Sequence, residues 1–120
     1  MIDVSSLLVY RLSIYRPMTP TRAEFHVLLA LHDGPRHGYG LMQDVEELSA
    51  GQLRIGPGTL YTAIKRLRSA GLISETQADA DRRRCYRLTR KGRTVVEEEA
   101  QRMNDLVRLA RKRGLLPSAS

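Results

Sequence analysis

Apolar positions in this chain recur in short blocks at helical spacing, separated by abrupt turns. Phe25, Val27, Leu28, Leu29 and Leu31 form a broad apolar face, which predicts a helix over 21–32. Thr21 followed by Glu24 makes a capping box at its start. "DGPRHG" (33–38) ends it with turn residues. A second helix, over 38–49, carries Leu41, Met42, Val45 and Leu48 on one side. Ala50, Gly51 and the "GPG" at 56–58 separate it from a third helix over 58–70. There Leu60, Ile64 and Leu67, helped by Ala63, make one narrow stripe. Thr59, Thr62, Lys65, Arg66 and Ser69 fall on the opposite and flanking faces. Gly71 suits the position just past the helix, because glycine takes a left-handed backbone at no steric cost.

The pattern then changes. "LISETQ" (72–77) and "RCYRLT" (84–89) predict two short strands around the polar loop "ADADRR". On the second strand Tyr86 and Leu88 share one face, Cys85 and Arg87 the other. A last helix is expected over 90–113, with Thr89 as its N-cap. Val96, Ala100, Met103, Val107 and Ala110 are spaced 4, 3, 4 and 3 along it. That is a coiled-coil-like seam, widened by Leu106 and Leu109, and it predicts a dimer interface. Residues 1–16 read two ways: Val4, Leu7, Leu8, Leu12 and Tyr15 fit a helix face, whereas Leu8, Tyr10, Leu12 and Ile14 fit a strand. A short helix is the preferred reading, ended by Pro17 and Pro20.

Four segments follow: an extension over 1–18, a body of three helices and a hairpin over 19–89, a dimerisation helix over 90–113 and a frayed, flexible tail over 114–120. The expected fold class is mainly α with a small β-hairpin. A length of 120 residues fits one domain with a modest core, so burying further surface in a dimer would help. With no Trp and one Phe, aliphatic side chains must fill the interior. The single Cys85 excludes an intramolecular disulfide and suits a reducing cytoplasm. No stretch approaches a membrane span, and residues 1–15 lack the basic start and cleavage site of a signal peptide.

Charge adds the partner. The net charge is +7, but it is local. Residues 21–57 hold three Arg against five acids, whereas residues 79–93 hold six Arg and one Lys against Asp79 and Asp81. Two neighbouring basic segments in so small a domain point to nucleic acid. Each part has a use on a duplex. The second and third helices can form a helix-turn-helix, with the third in the major groove. Arg82, Arg83 and Arg84 at the hairpin tip can reach phosphates or a minor groove as a wing. Contacts to phosphates give mainly affinity and contacts to bases give sequence choice. A two-fold dimer would present two basic helices to a pseudo-palindromic operator in double-stranded DNA.

"HGYGLMQDVE" (37–46), "GPGTLYTAIKRLRSAGLI" (56–73) and "RRRCYRLTRKG" (82–92) resemble the PadR family of bacterial transcriptional regulators. The resemblance spans about residues 20–113 in one order. It implies a winged helix-turn-helix homodimer, usually a repressor, often released by a small ligand. It also implies a C-terminal helix that crosses to the partner subunit; the short helix here resembles the smaller subclass. Several positions depart from the family pattern. Thr62 stands where Pro is common, and Arg68 where an acid is common. "DADRRR" lacks the usual wing Gly or Pro, and Cys85 stands where a large residue is common. The residues expected to contact DNA are Thr59, Tyr61, Thr62, Lys65, Arg66, Arg82, Arg83 and Arg84. Tyr61 sits at the edge of the buried stripe, where it can pack or reach a phosphate. Lys65 and Arg66 have no acid four residues downstream, so a local salt bridge does not account for them. Arg68 makes the helix more basic than the family pattern.

Other chemistries find little support. His26, His32 and Cys85 have no metal-ligand spacing, and no metal or cofactor is expected. His37 is expected to cap or line the second helix. Cys85 reads as a small strand side chain rather than a redox sensor. Glu97, Glu98 and Glu99 point in different directions from one helix, and no catalytic set stands out, so an enzyme is not expected. Small aromatic ligands bind at the dimer interface of the family, but the tryptophans that sandwich drugs in one branch are missing. Phe25, Leu29, Met103 and Val107 are expected to fill that interface. Two other classes stay open: a non-specific nucleic-acid-binding protein, and a protein-interaction module that uses the same scaffold against an acidic partner.

Overall fold

The computed structural model describes residues 19–76 and 83–118. The predicted helix at 1–16, most of the hairpin loop and Arg82 lie outside the described residues. Helix α1 (Arg22–His32) is followed by a two-residue strand β1 (Arg36–His37) and helix α2 (Gly38–Leu48). Helix α3 (Pro57–Ser69), strands β2 (Ile73–Thr76) and β3 (Cys85–Leu88), and the long helix α4 (Arg90–Lys112) complete the order. The three strands form one antiparallel sheet in the order β1-β3-β2. The architecture is a mainly helical winged helix-turn-helix.

Local chemistry sets the ends of these elements. Thr21 and Glu24 form the predicted capping box: the Thr21 hydroxyl accepts from the Glu24 amide, and the Glu24 carboxylate accepts from the Thr21 amide at 2.8 Å. Helix α3 starts one residue earlier than expected. Gly56 is its N-cap and Pro57 its first residue, where the missing proline N–H leaves no bond unmade. At its far end Gly71 has φ +77, and Leu72 N donates to Leu67 O while Gly71 N donates to Arg68 O. That is a Schellman ending, and it turns the chain straight into β2.

Strand β1 was not predicted. Two residues are too few to show a period, and they become a strand only by pairing Arg36 with Tyr86 and His37 with Cys85. Arg36 then donates twice to Asp44 on α2, at 2.7 and 2.8 Å, and its guanidinium lies over Gly40. His37 is the N-cap residue of α2 but makes no side-chain cap bond, so it lines the helix start instead of capping it.

One core unites the helices and the sheet. Val27, Leu28 and Leu31 of α1, Leu41 and Val45 of α2, and Leu60, Ile64 and Leu67 of α3 meet Leu72, Ile73 and Tyr86. The predicted aliphatic interior is therefore built around one tyrosine, which is fully buried. Two positions expected on apolar faces turn outward: Leu29 and Leu48 are exposed.

The start of α4 is locked to the hairpin. Thr89 accepts from the Gly92 amide, as predicted for an N-cap, and also donates to Gly71 O at 2.6 Å. Gly92 packs directly on the Leu72 carbonyl, with no room for a Cβ. Val95 and Val96 follow into the core. Val96 was expected in an intersubunit seam; in the structure it is 3% exposed within its own chain. The helix beyond Glu99 projects away from the core, so the seam loses its first member.

Candidate nucleic-acid interface

Helix α3 has two contrasting sides. Leu60 and Leu67 are completely buried, and Ile64 and Ala63 nearly so. Each buried leucine contributes roughly 1.5–3 kcal/mol, so this stripe anchors the helix more firmly than any surface ion pair. Thr59, Thr62, Lys65 and Arg66 are exposed on the outside, as their phase predicted. Among the described residues Lys65 makes no hydrogen bond or ion pair, which leaves its ammonium available to an incoming anion.

Arg66 differs from Lys65. Its Nη1 lies 3.1 Å from Glu24 Oε1 and 3.4 Å from Oε2. The reasoning from local spacing missed this partner, because the acid sits on α1, 42 residues earlier. Glu24 is 2% exposed and already serves the capping box. Arg66 therefore presents a guanidinium anchored on one side, with its exposed side still open. Thr59, Thr62 and Arg66 line an open groove of about 530 Å³ between the starts of α1 and α3.

Tyr61 packs against the start of α2 and also keeps an exposed edge. Its hydroxyl lies 3.0 Å from where a Cβ on Gly38 would stand, so the ring packs over the glycine that opens α2. Nearly half of its surface remains exposed beside Lys65. Any larger residue at 38 would displace it.

A second groove, of about 500 Å³, runs between α3 and the wing. Tyr61, Lys65 and Arg68 line one side, and Arg84 and Tyr86 the other. Arg68 was read as added basicity at the DNA surface, but the structure gives it an acid: Nη1 lies 3.3 Å from Glu75 Oε2 on β2. Arg84 Nε approaches the other carboxylate oxygen at 3.6 Å. Burial, followed by the charge of Glu75, holds the Tyr86 phenol above its usual range, against an opposing hydrogen bond from Arg84. Arg83 and Arg84 are exposed at the start of β3. The eight residues expected at DNA are thus not equivalent: five lie along α3, two flank it from the wing, and Arg82 lies outside the described residues.

The comparisons with known proteins agree with this geometry. The Transcriptional regulator PadR-like family matches residues 27–98. The chain belongs to the PadR-like family of transcriptional regulators. It is 38% identical over 85 residues to a transcriptional regulator of Mycobacterium tuberculosis, covering 69% of this chain and 77% of that protein. It is also 40% identical over 86 residues to an uncharacterized transposon protein of Streptomyces fradiae, covering 72% of this chain but only 24% of that protein. Among solved structures, a transcriptional regulator from Clostridium thermocellum aligns with a TM-score of 0.66 at 20% identity, covering 93% of this chain and 97% of its own. A PadR family regulator from Clostridium difficile aligns with a TM-score of 0.66 at 23% identity, covering 77% and 97%. These two establish the winged-helix fold.

This PadR-like chain is a DNA-binding transcriptional regulator. Among the described residues no helix is long and apolar enough to cross a membrane, and no three His, Cys, Asp or Glu side chains converge as metal ligands. Sequence reasoning missed Glu75, Asp44 and the second role of Glu24. Only the Thr21–Glu24 spacing carried a signal, and it signalled the cap alone.

Proposed function

We propose that the protein is a homodimeric repressor that binds a pseudo-palindromic operator in double-stranded DNA. Helix α3 enters the major groove with Thr59, Tyr61, Thr62, Lys65 and Arg66. The wing places Arg82, Arg83 and Arg84 on the flanking backbone or minor groove. The observation that carries this reading is the two-sidedness of α3: a buried aliphatic stripe behind, and hydroxyls with an unpaired Lys65 in front. Such a face supplies both phosphate contacts and base-edge contacts.

The dimer reading is supported by α4. Met103, Leu106, Val107 and Leu109 are exposed large hydrophobics along one helix, with Ala110 half-buried among them. Ala100 is exposed between them and Val96. Exposed Leu29 and half-buried Phe25 on α1 extend the apolar surface that a second subunit would cover. Two-fold pairing through α4 would set the spacing of the two α3 helices and hence of the operator half-sites. A small aromatic ligand entering between the subunits would alter that spacing and release the DNA. A cytoplasmic location suits such a regulator.

Selection of bound genomic fragments by the purified protein tests the whole reading. A two-fold-related sequence should emerge, and Lys65→Ala should weaken its binding with the salt slope reduced by about one. Uniform recovery of all fragments would mean non-specific binding. No recovery, with capture by acidic peptides instead, would favour a protein-interaction module.

A further inference from the structure

Two of the arginines that line the basic groove between α3 and the wing pair with a single acid beside it, Glu75. Glu75 is positioned by the register of the sheet, opposite Tyr86 on β3. Arg84 lies two residues before Tyr86, so it reaches the same face. Arg68 comes to that face from the last turn of α3. The two guanidiniums approach different oxygens of one carboxylate, at 3.3 and 3.6 Å. The side chain of Glu75 is 30% exposed, whereas those of Arg68 and Arg84 are 46% and 69% exposed. The acid is the recessed member, and each cation keeps an open side.

Stability is a weak reason for this arrangement. Ion pairs between half-exposed side chains contribute little. The same carboxylate has a large effect on a polyanion. It offsets one of the three positive charges, Lys65, Arg68 and Arg84, that line the groove between α3 and the wing. It also draws both guanidiniums toward one carboxylate before any phosphate arrives.

We propose that Glu75 is a specificity-positioning residue that tethers Arg68 and Arg84 and suppresses binding to duplex DNA of the wrong sequence. The inference rests on the DNA-binding reading above. Non-specific affinity is almost wholly phosphate electrostatics, so a negative charge inside the basic face lowers it directly. On the operator, base contacts along α3 hold the duplex in one register. There the tethered arginines meet phosphates without further ordering, which offsets the repulsion from Glu75. On other sequences no register is favoured, and the repulsion remains.

The test compares wild type with Glu75→Gln, which keeps the shape and removes the charge. Two probes are used: a random-sequence duplex and the fragment selected from genomic DNA by the wild type. Binding is followed between about 50 and 200 mM salt, the range over which phosphate contacts show most clearly. The variant should bind the random duplex about three- to tenfold tighter, with a salt slope steeper by about one. Its affinity for the selected fragment should rise less, so the specificity ratio falls. Arg68→Gln is the second variant, and it should weaken random-duplex binding severalfold by leaving Glu75 less compensated. A purely structural Glu75 would lower the unfolding midpoint and leave the salt slope unchanged, and that result would overturn the proposal. If Glu75→Gln does not fold, unchanged random-duplex binding by Arg68→Gln would overturn it equally. Failure of the wild type to bind either duplex would instead remove the DNA-binding reading itself.

Discussion

The Arg66 guanidinium sits 3.1 Å from Oε1 of Glu24, so an exposed cation of α3 is anchored to a buried carboxylate that also caps another helix. The pair joins the N-terminus of α1 to the exposed face of α3. It makes Arg66 part of the fold as well as part of the proposed DNA surface.

Glu24 and Arg66 should therefore respond unequally to truncation. Glu24→Ala removes the cap acceptor and the ion pair together and should cost about 2–4 kcal/mol. Arg66→Ala leaves the carboxylate bonded to the Thr21 amide. Its guanidinium is half exposed and screened by solvent, so the cost should be about 1 kcal/mol. Urea unfolding measures both. Equal losses would show that the cap adds nothing.

Gly92→Ala reverses a general rule. In an ordinary helix, replacing glycine by alanine gains about 1 kcal/mol. Here the new Cβ would overlap the Leu72 carbonyl oxygen, which also accepts from Thr89 N at 3.1 Å. The oxygen cannot retreat without breaking that bond. The substitution should cost about 3 kcal/mol or more and loosen α4 from the hairpin. A thermal midpoint at or above that of the wild type would contradict the close approach.

Charges along α4 should divide into two outcomes. Val107→Glu or Met103→Glu alters an exposed apolar position and should yield folded monomers by light scattering. Val96→Glu buries a charge in the core of one subunit and should unfold the chain. An intact dimer carrying glutamate at both 103 and 107 would move the interface elsewhere.

Tyr86 should leave an alkaline signature. Its phenol titrates above the usual value of 10.0, first because it is buried and next because Glu75 is near. Below pH 10 both the folded and the unfolded forms are protonated, so the contribution is fully present. Above it the unfolded chain loses its proton first, and stability falls as pH rises through the folded value. Tyr86→Phe should flatten that part of the pH profile of the urea midpoint. An unchanged decline would assign it to other groups.

Much of this was legible along the chain because the signals are local. The capping box, the Gly71 ending, the stripe of Leu60, Ile64 and Leu67, and the Thr89 cap each lie within a few residues. Motif resemblance led to the same family that the comparisons show. Side-chain partners were less legible. Spacing arguments see acids three or four residues away on one helix, and Glu24 and Glu75 reach α3 from other elements. Val96 misled for a related reason: a heptad seam and a core face look identical until the body beneath the helix is known.

The amino-acid sequence by itself determined where helices start and stop, which side of each is apolar, and that positive charge gathers at the third helix and the wing. Those properties depend on backbone preference and periodicity, which act over one or two turns. Tertiary structure alone decided that Arg36 and His37 become a strand, that Arg66 and Arg68 are paired while Lys65 is not, and where α4 leaves the core. Each of these depends on groups distant in sequence being brought within a few ångströms, and only packing of the whole core does that.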